Sequence, residues 1–512
     1  MSLIQRNIAA NYIGVASTAI TALLVIPLYI KILGIEYYGL IGFFSALIAV
    51  SNILDVGLST TMNRELARLS AHRGGEQQQR DTVRTLETVY WLIAIVVGLL
   101  VVFLSRIIAT QWIRAGQIAP NTLQPLIVLM GIALVFNFPI SLYMGGLNGL
   151  QRQVLTNGIV VISSLVRGGG GVAILLYYSP TIQAFFVWNL IAYVFQTFLL
   201  AFFLWWRALP RTTDRAKFQK KLFQTTWRFT AGIALVSILG VVLTQLSNVI
   251  LPRIVPLSAF GYYSVAAVLA ASAAGFVGGP LFNALFPRLS QLVAHGDVAA
   301  LKSFYHHSCE GMSVLVLPVA ATFAFFSPEV LLIWTRDPTI VNNCSLVLSF
   351  LIVGYAINAI MLLPFGLQIA YGWTRLLLGI SIAAVVFAVP LTLIFANVYG
   401  IVGAASVWVI VNSYMFLIQP WFMHRRILKN ELMHWYAIDV GLPLIPALVI
   451  PICARFLISV RVSSLILILE LCIVLSISML SAGLLTPATR TWIQTSYTRL
   501  HSNIKLKLTH NR

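Results

Sequence analysis

Charge is what this sequence has least of. Only 9% of its 512 residues are charged, and just 14 are acidic. A soluble domain carries about 25% charged residues, so a water-soluble globule is excluded. No two acids are adjacent in the chain and no loop is long enough for a catalytic domain, which argues against a membrane glycosyltransferase, polymerase or acyltransferase. Cysteine is scarce too. Cys309, Cys344, Cys453 and Cys472 show no C-x-x-C spacing, so neither a disulfide framework nor a thiolate metal knot is indicated. The phosphate-cradling pattern G-x-x-x-x-G-K-[ST] does not occur, which excludes a primary pump built on that loop. All eight histidines fall in expected inner loops or the C-terminal tail. That argues against a histidine metal site or an intramembrane histidine relay. No metal and no cofactor is called for.

What the chain has in abundance is apolar residues, at 59%. A membrane-spanning helix needs about 20 of them in a row. Such runs predict fourteen spans, near 11–31, 38–58, 86–105, 123–145, 157–178, 182–206, 229–251, 260–283, 311–328, 344–370, 376–396, 401–423, 436–456 and 463–486. The expected fold is therefore an all-α integral membrane protein. The first run is too long for a signal-peptide core and no A-x-A-like site follows it, so it is expected to be retained.

The few charges are unevenly placed. Fourteen spans put both termini on one side, and 25 of the 33 Lys and Arg fall on that side. The positive-inside rule makes it the cytoplasm. The basic clusters at 64–84 and 207–228 then set topology and touch anionic membrane lipids. They are short loops between spans, which speaks against nucleic acid. Seven cations lie outside: Lys31, Arg106, Arg114, Arg253, Arg336, Arg455 and Arg461. Arg167 is left over inside span 5.

An internal repeat organises the spans. Lys31-Ile32-Leu33 with Tyr38-Gly39 matches Arg253-Ile254-Val255 with Phe260-Gly261 at an offset of 222. Phe103, Ser105, Trp112 and Arg114 match Phe325, Ser327, Trp334 and Arg336 at the same offset. Asn137 and Gly145 match Asn358 and Gly366 at 221. Spans 1–6 and 7–12 are thus two copies of one unit, related by an axis along the membrane normal. The expected domains are a six-helix bundle at 1–206, a basic linker at 207–228, a second six-helix bundle at 229–423, helices 13 and 14 at 424–487, and a basic tail at 488–512. Such bundles place substrate sites near the midplane, where matched spans are interrupted by Gly or Pro. Arg167 corresponds to Pro390 at an offset of 223. A bend is therefore expected at Gly168, Gly169, Gly170 and Gly171, with its counterpart at Pro390.

Three stretches carry a family resemblance. "DVGLSTTMNREL" (55–66), "FGYYSVAAVL" (260–269) and "FPRLSQLVAHGD" (286–297) resemble motifs of the polysaccharide transporters. The chain resembles O-antigen-type flippases of the multidrug/oligosaccharidyl-lipid/polysaccharide exporter superfamily. The resemblance implies a non-enzymatic flippase of the bacterial inner membrane. It would move an undecaprenyl-diphosphate-linked oligosaccharide by alternating access. It also implies a monomer that works alongside polysaccharide polymerase machinery. One position departs from the pattern: many members carry an acid in a T-Q-x-D stretch of span 7, where this chain has Ser247.

A diphosphate cargo needs cations, and arginine donates two parallel hydrogen bonds to phosphate. Arg167 is the leading candidate. It either faces a cavity or pairs with Asp55, Glu470 or a backbone carbonyl freed by the glycines. Lys31, Arg253, Arg114 and Arg336 form either an outer cationic rim or a set of snorkelling anchors. Asp55 and Arg64 are gate candidates, or Asp55 caps a helix. Glu470 in span 14 is a proton-carrier candidate or a packing contact. Asn137 and Asn358 bond either sugar hydroxyls or neighbouring helices. The alternative function is a drug or small-cation exporter of the same superfamily. That reading wants acids in the cavity, and the cationic balance of this chain favours an anionic cargo.

Overall fold

The computed structural model describes residues 3–55, 57–71, 74–116, 118–457, 464–487 and 489–491; side chains at 3–10, 221–234, 236–237 and 464 are outside the description. The basic tail expected at 488–512 lies almost wholly outside the described residues. The regular secondary structure among the described residues is helical, with no strand.

The helices are α1 (Leu3–Leu33), α2 (Ile35–Ser51), α3 (Leu58–Ser70), α4 (Glu76–Ile107), α5 (Pro120–Asn137), α6 (Pro139–Gly149), α7 (Gln153–Tyr177), α8 (Ile182–Phe202) and α9 (Lys220–Ile254). They continue as α10 (Leu257–His295), α11 (Val298–Phe325), α12 (Ser327–Thr335), α13 (Pro338–Ile360), α14 (Leu362–Ala370), α15 (Thr374–Arg426), α16 (Leu432–His434), α17 (Leu442–Leu457) and α18 (Ser464–Leu485). Twelve helical segments are long and apolar enough to cross a membrane. One of them is α15, whose 53 residues would run about 80 Å at 1.5 Å per residue. That is more than two bilayer cores of about 30 Å. The helix breaks at Gly400, with φ 61° and ψ −140°, a conformation in which a Cβ is strongly disfavoured. It therefore makes two crossings. Ile238–Ile254 is a further, shorter apolar stretch.

The chain forms two compact units. The first is Met1–Ser264 with Ala388–Ile401, and the second is Val265–Phe387 with Val402–Arg512. In the first unit, the repeat-matched glycines Gly39 and Gly261 meet each other. A Cβ on Gly39 would run into the Leu257 carbonyl and lie 3.2 Å from the Gly261 nitrogen; one on Gly261 would strike the Ile35 carbonyl. Small residues let helix backbones approach closely in a membrane, and α2 and α10 cross there. In the second unit, α11 packs against α13, α17 and α18. Gly366, the partner of Gly145 in the repeat, leaves room for Phe282, which would sit 2.6 Å from an added Cβ. Glu329, 1% exposed at the start of α12, is ion-paired with Arg455 near the end of α17.

Candidate functional site

Arg167 lies nearly three turns from the end of α7, between α1 and α8. Helix α7 is unbroken from Gln153 to Tyr177. The bend expected at Gly168–Gly171 is therefore absent, and the physical reason is packing. A Cβ on Gly168 would come within 2.8 Å of Thr21 Cγ2, one on Gly171 within 2.5 Å of the Tyr29 hydroxyl, and one on Gly170 would overlap the Trp188 ring. Three of the four glycines thus admit neighbouring side chains, while Gly169 faces open space. Tyr29 Oη donates to the Gly168 carbonyl at 2.9 Å, and Trp188 Nε1 donates to the Val166 carbonyl at 3.1 Å. These bonds clamp the backbone on both sides of Arg167. Pro390 likewise sits inside α15, whose departure from helical geometry is at Gly400.

The Arg167 guanidinium carbon lies 5.2 Å from the centroid of the Tyr193 ring on α8. Among the described residues, no carboxylate lies within ion-pair distance of it. Asp55, one expected partner, is engaged elsewhere. It accepts from Ser59 N–H at 2.9 Å, from Ser59 Oγ at 2.6 Å, and from the Tyr90 hydroxyl. Asp55 therefore caps the start of α3, where Gly57 takes a left-handed φ of 76°. Arg64 is paired with Glu65 at 2.8 Å, and Arg68 joins the same carboxylate at 2.9 Å. Burial pushes the Glu65 carboxyl up, but the two guanidiniums outweigh it and hold the group below the usual carboxylate range. Glu470 lies in α18 with Oε2 buried and no hydrogen-bond partner among the described residues.

The expected outer cations have distinct surroundings. Arg114 is part of a clasp on α9: its N–H donates to the Pro252 carbonyl at 2.9 Å, its carbonyl accepts from Leu257 N–H at 2.8 Å, and its guanidinium donates to the Ile254 carbonyl at 2.9 Å. Arg253 lies over the Trp112 ring at 5.2 Å in the same clasp. Lys31 is exposed in the last turn of α1. Arg336, in the second unit, ends α12 in a left-handed conformation with φ 54°. The paired amides also differ. Asn358 donates to Asn412 Oδ1 at 3.0 Å, a bond between helices. Asn137 is half-buried at the α5–α6 junction.

Two groupings were missed because their members are far apart in the chain. The first, in unit one, is a cavity of about 660 Å³ lined by Arg80, Arg84, Arg211 and Arg215 with Trp205 and Trp206. The basic stretches 64–84 and 207–228 were each visible in the sequence, but not that they close on one cavity. The second, in unit two, gathers three of the histidines. His306 is buried in α11, His424 is buried in α15, and His434 ends α16. His306 Nδ1 is 2.6 Å from Asp439 Oδ2, and its Nε2 is 3.2 Å from Glu431 Oε2. His434 Nε2 lies 3.6 Å from Asp439 Oδ1. Burial raises the Glu431 carboxyl, but Lys302 at 2.6 Å dominates and holds it low. Against the expectation of no histidine metal site, His306, His434 and Asp439 offer three ligand atoms within 4.8 Å of one another.

A family model described as "Polysaccharide biosynthesis protein" matches residues 30–336. The chain belongs to this polysaccharide biosynthesis family. The match takes in Lys31, Asp55, Arg64, Arg167, Arg253 and the arginine-lined cavity, and it ends at Arg336. Asn358, Pro390, Asp439 and Glu470 lie beyond it. A Shigella flexneri protein named "Putative O-antigen transporter" is 25% identical over 427 residues, 83% of this chain and 98% of that protein. Among solved structures, lipid II flippase MurJ in an inward closed conformation superposes with a TM-score of 0.74 at 12% identity, covering 93% of this chain and 97% of that one. A Vibrio cholerae MATE transporter gives 0.60 at 14% identity, over 84% of this chain and 98% of that one. This family member therefore has the fold shared by MurJ and the MATE transporters, and it is a multi-pass membrane protein.

Proposed function

We propose that the protein is a flippase that carries an undecaprenyl-diphosphate-linked oligosaccharide across the bacterial inner membrane by alternating access. Both termini lie in the cytoplasm, on the side holding the excess of lysine and arginine. Family membership and the O-antigen transporter matched along nearly its whole length support this reading over catalysis. The observation that carries it is Arg167. A guanidinium inside a membrane helix costs at least about 2.5–3.5 kcal/mol, and this one has an aromatic face but no carboxylate among the described residues. Such a cation is ready to take an anion. The rigid clamp of Tyr29 and Trp188 on α7 fixes where it would do so. A drug-cation exporter needs the reverse, a free carboxylate. In unit one, Asp55 and Glu87 are each already holding donors.

Deleting the gene in a strain without a redundant exporter tests the function. Lipid-linked oligosaccharide should accumulate on the inner leaflet and surface polysaccharide should disappear. Normal surface polysaccharide in that strain refutes the proposal. Complementation with Arg167→Ala should restore protein in the membrane but not transport, and Arg167→Lys should restore part of it. Full transport by Arg167→Ala makes the residue structural.

A further inference from the structure

The arginine-lined cavity in the first unit is built, not incidental. One wall is the first three turns of α4, which carry Arg80 and Arg84. The opposite wall is the 209–219 segment, with Arg211, Thr212 and Arg215. The floor is Trp205 and Trp206, from the widened π-helical turn Phe203–Ala208 that ends α8. Hydrogen bonds strap the segment to α4. Asp81 accepts from Lys217 N–H at 2.8 Å and from Gln219 Nε2 at 2.5 Å, and Thr85 Oγ1 accepts from Gln219 N–H at 2.9 Å. Gln77 Nε2 donates to the Arg215 carbonyl at 3.2 Å, and Arg80 donates to the Pro210 carbonyl at 3.2 Å. Asp81 makes its bonds to Lys217 N–H and Gln219, so it joins the walls without pairing with Arg80, Arg211 or Arg215.

Glu87 is the single acid in the lining. It is occupied by the Tyr143 hydroxyl at 2.7 Å, Trp205 Nε1 at 3.1 Å and Arg84 at 3.2 Å. Arg211 and Arg215 have no ion pair among the described residues. Arg80 lies 5.4 Å over the Trp205 ring, and its Nε is buried without an acceptor. Three uncompensated positive charges and an orphaned donor thus face one space of about 660 Å³. Like charges this close repel unless an anion lies between them. The guanidiniums come as two pairs, one on each wall, and each pair suits one phosphate. Tryptophan at the end of a span marks the membrane–water interface, and Trp206 is 68% exposed there. That is the depth of lipid phosphates, and basic pockets at this depth take anionic head groups.

We propose that this cavity binds the head group of a membrane lipid bearing two phosphates. The binding claim does not depend on the transport role above. Two lipids share the chemistry, a polyprenyl diphosphate and diphosphatidylglycerol, and the experiment separates them. The full chain, in phosphatidylcholine nanodiscs, is titrated with each lipid and with inorganic pyrophosphate, and binding is read by native mass spectrometry. At least one lipid should bind, and Arg211→Ala with Arg215→Ala should weaken it by about tenfold or more, the effect of losing about 1.4 kcal/mol. Arg106→Ala, a charge lost near the other end of α4, should leave affinity unchanged. Preference for the polyprenyl diphosphate assigns the site to cargo, and preference for diphosphatidylglycerol assigns it to bulk lipid. The proposal falls if neither lipid binds, if only pyrophosphate binds, or if the double variant or Arg106→Ala fails to differ as stated. A thermal melt of each variant matching wild type shows that the fold is intact.

Discussion

The two units treat charge in opposite ways. In the first, cations are answered mainly by carbonyls and rings: Arg167 by Tyr193, Arg253 by Trp112, Arg114 by the Ile254 carbonyl, and Arg80 by Trp205 and the Pro210 carbonyl. In the second, charges near α11 are answered by opposite charges: Arg455 by Glu329, Lys302 by Glu431, and His306 by Asp439. A cation resting on a ring or a carbonyl keeps its appetite for an anion. One locked to a buried carboxylate does not. The contrast teaches that the first unit keeps Arg167 and the cavity arginines ready for an anion, while the second locks the charges beside α11 into ion pairs and rests Arg425 and Arg426 on tryptophan rings.

Removing one partner from each unit should break the symmetry most clearly. Arg455→Ala leaves the Glu329 carboxylate buried and unpaired, which costs about 3–5 kcal/mol. Arg167→Ala loses only a ring contact, about 1 kcal/mol or less. Thermal unfolding of the two variants in detergent should therefore differ widely. Equal shifts would mean that Arg167 is as structural as Arg455.

The glycines beside Arg167 give a second, smaller test. Gly170→Ala drives a methyl into Trp188 and should cost about 1–3 kcal/mol. Gly169→Ala meets nothing within 4 Å and should be neutral or stabilise by up to about 1 kcal/mol. If both substitutions act alike in a melting assay, close packing is not what these glycines supply.

The smallest effect concerns one of the ion-paired acids of the first unit, Glu65 with Arg64 and Arg68. The folded carboxyl sits below its ordinary value, so the folded state favours the ionised form. Its contribution is present above the unfolded value of about 4.3 and is lost as pH falls through the lower, folded value. Being at the surface, it should amount to about 0.2–1 kcal/mol. Melting temperature against pH for wild type and Glu65→Gln should diverge above this window and converge below it. Curves that run parallel across the window contradict the pairing.

Much of the architecture was legible beforehand. The apolar runs appear as long apolar helices, twelve of them among the described residues, and Gly39 and Gly261, paired by the repeat offset of 222, meet at one helix crossing. The reading of Gly168–Gly171 and Pro390 as weak points was not upheld. Sequence registers that glycine is a poor helix former, but it cannot show that Trp188, Tyr29 and Thr21 fill the space a Cβ would take. Likewise the Asp55–Arg64 gate gave way to a helix cap, because Ser59 and Tyr90 reach Asp55 first. The histidine cluster was not legible because its members come from α11, from α16 and from the turn that follows it.

What the sequence by itself determined was the membrane as solvent, an all-helical fold of many apolar spans and the uneven placement of cations. Those follow from composition summed along a segment, since transfer into a bilayer depends on each run of about 20 residues. What only the tertiary structure decided was the partner of each buried polar group. The arginine cavity joins residues 80–87 to 205–216, and the histidine cluster joins residue 306 to residues 431–439. Partners that far apart are brought together by helix packing, and no local period records them.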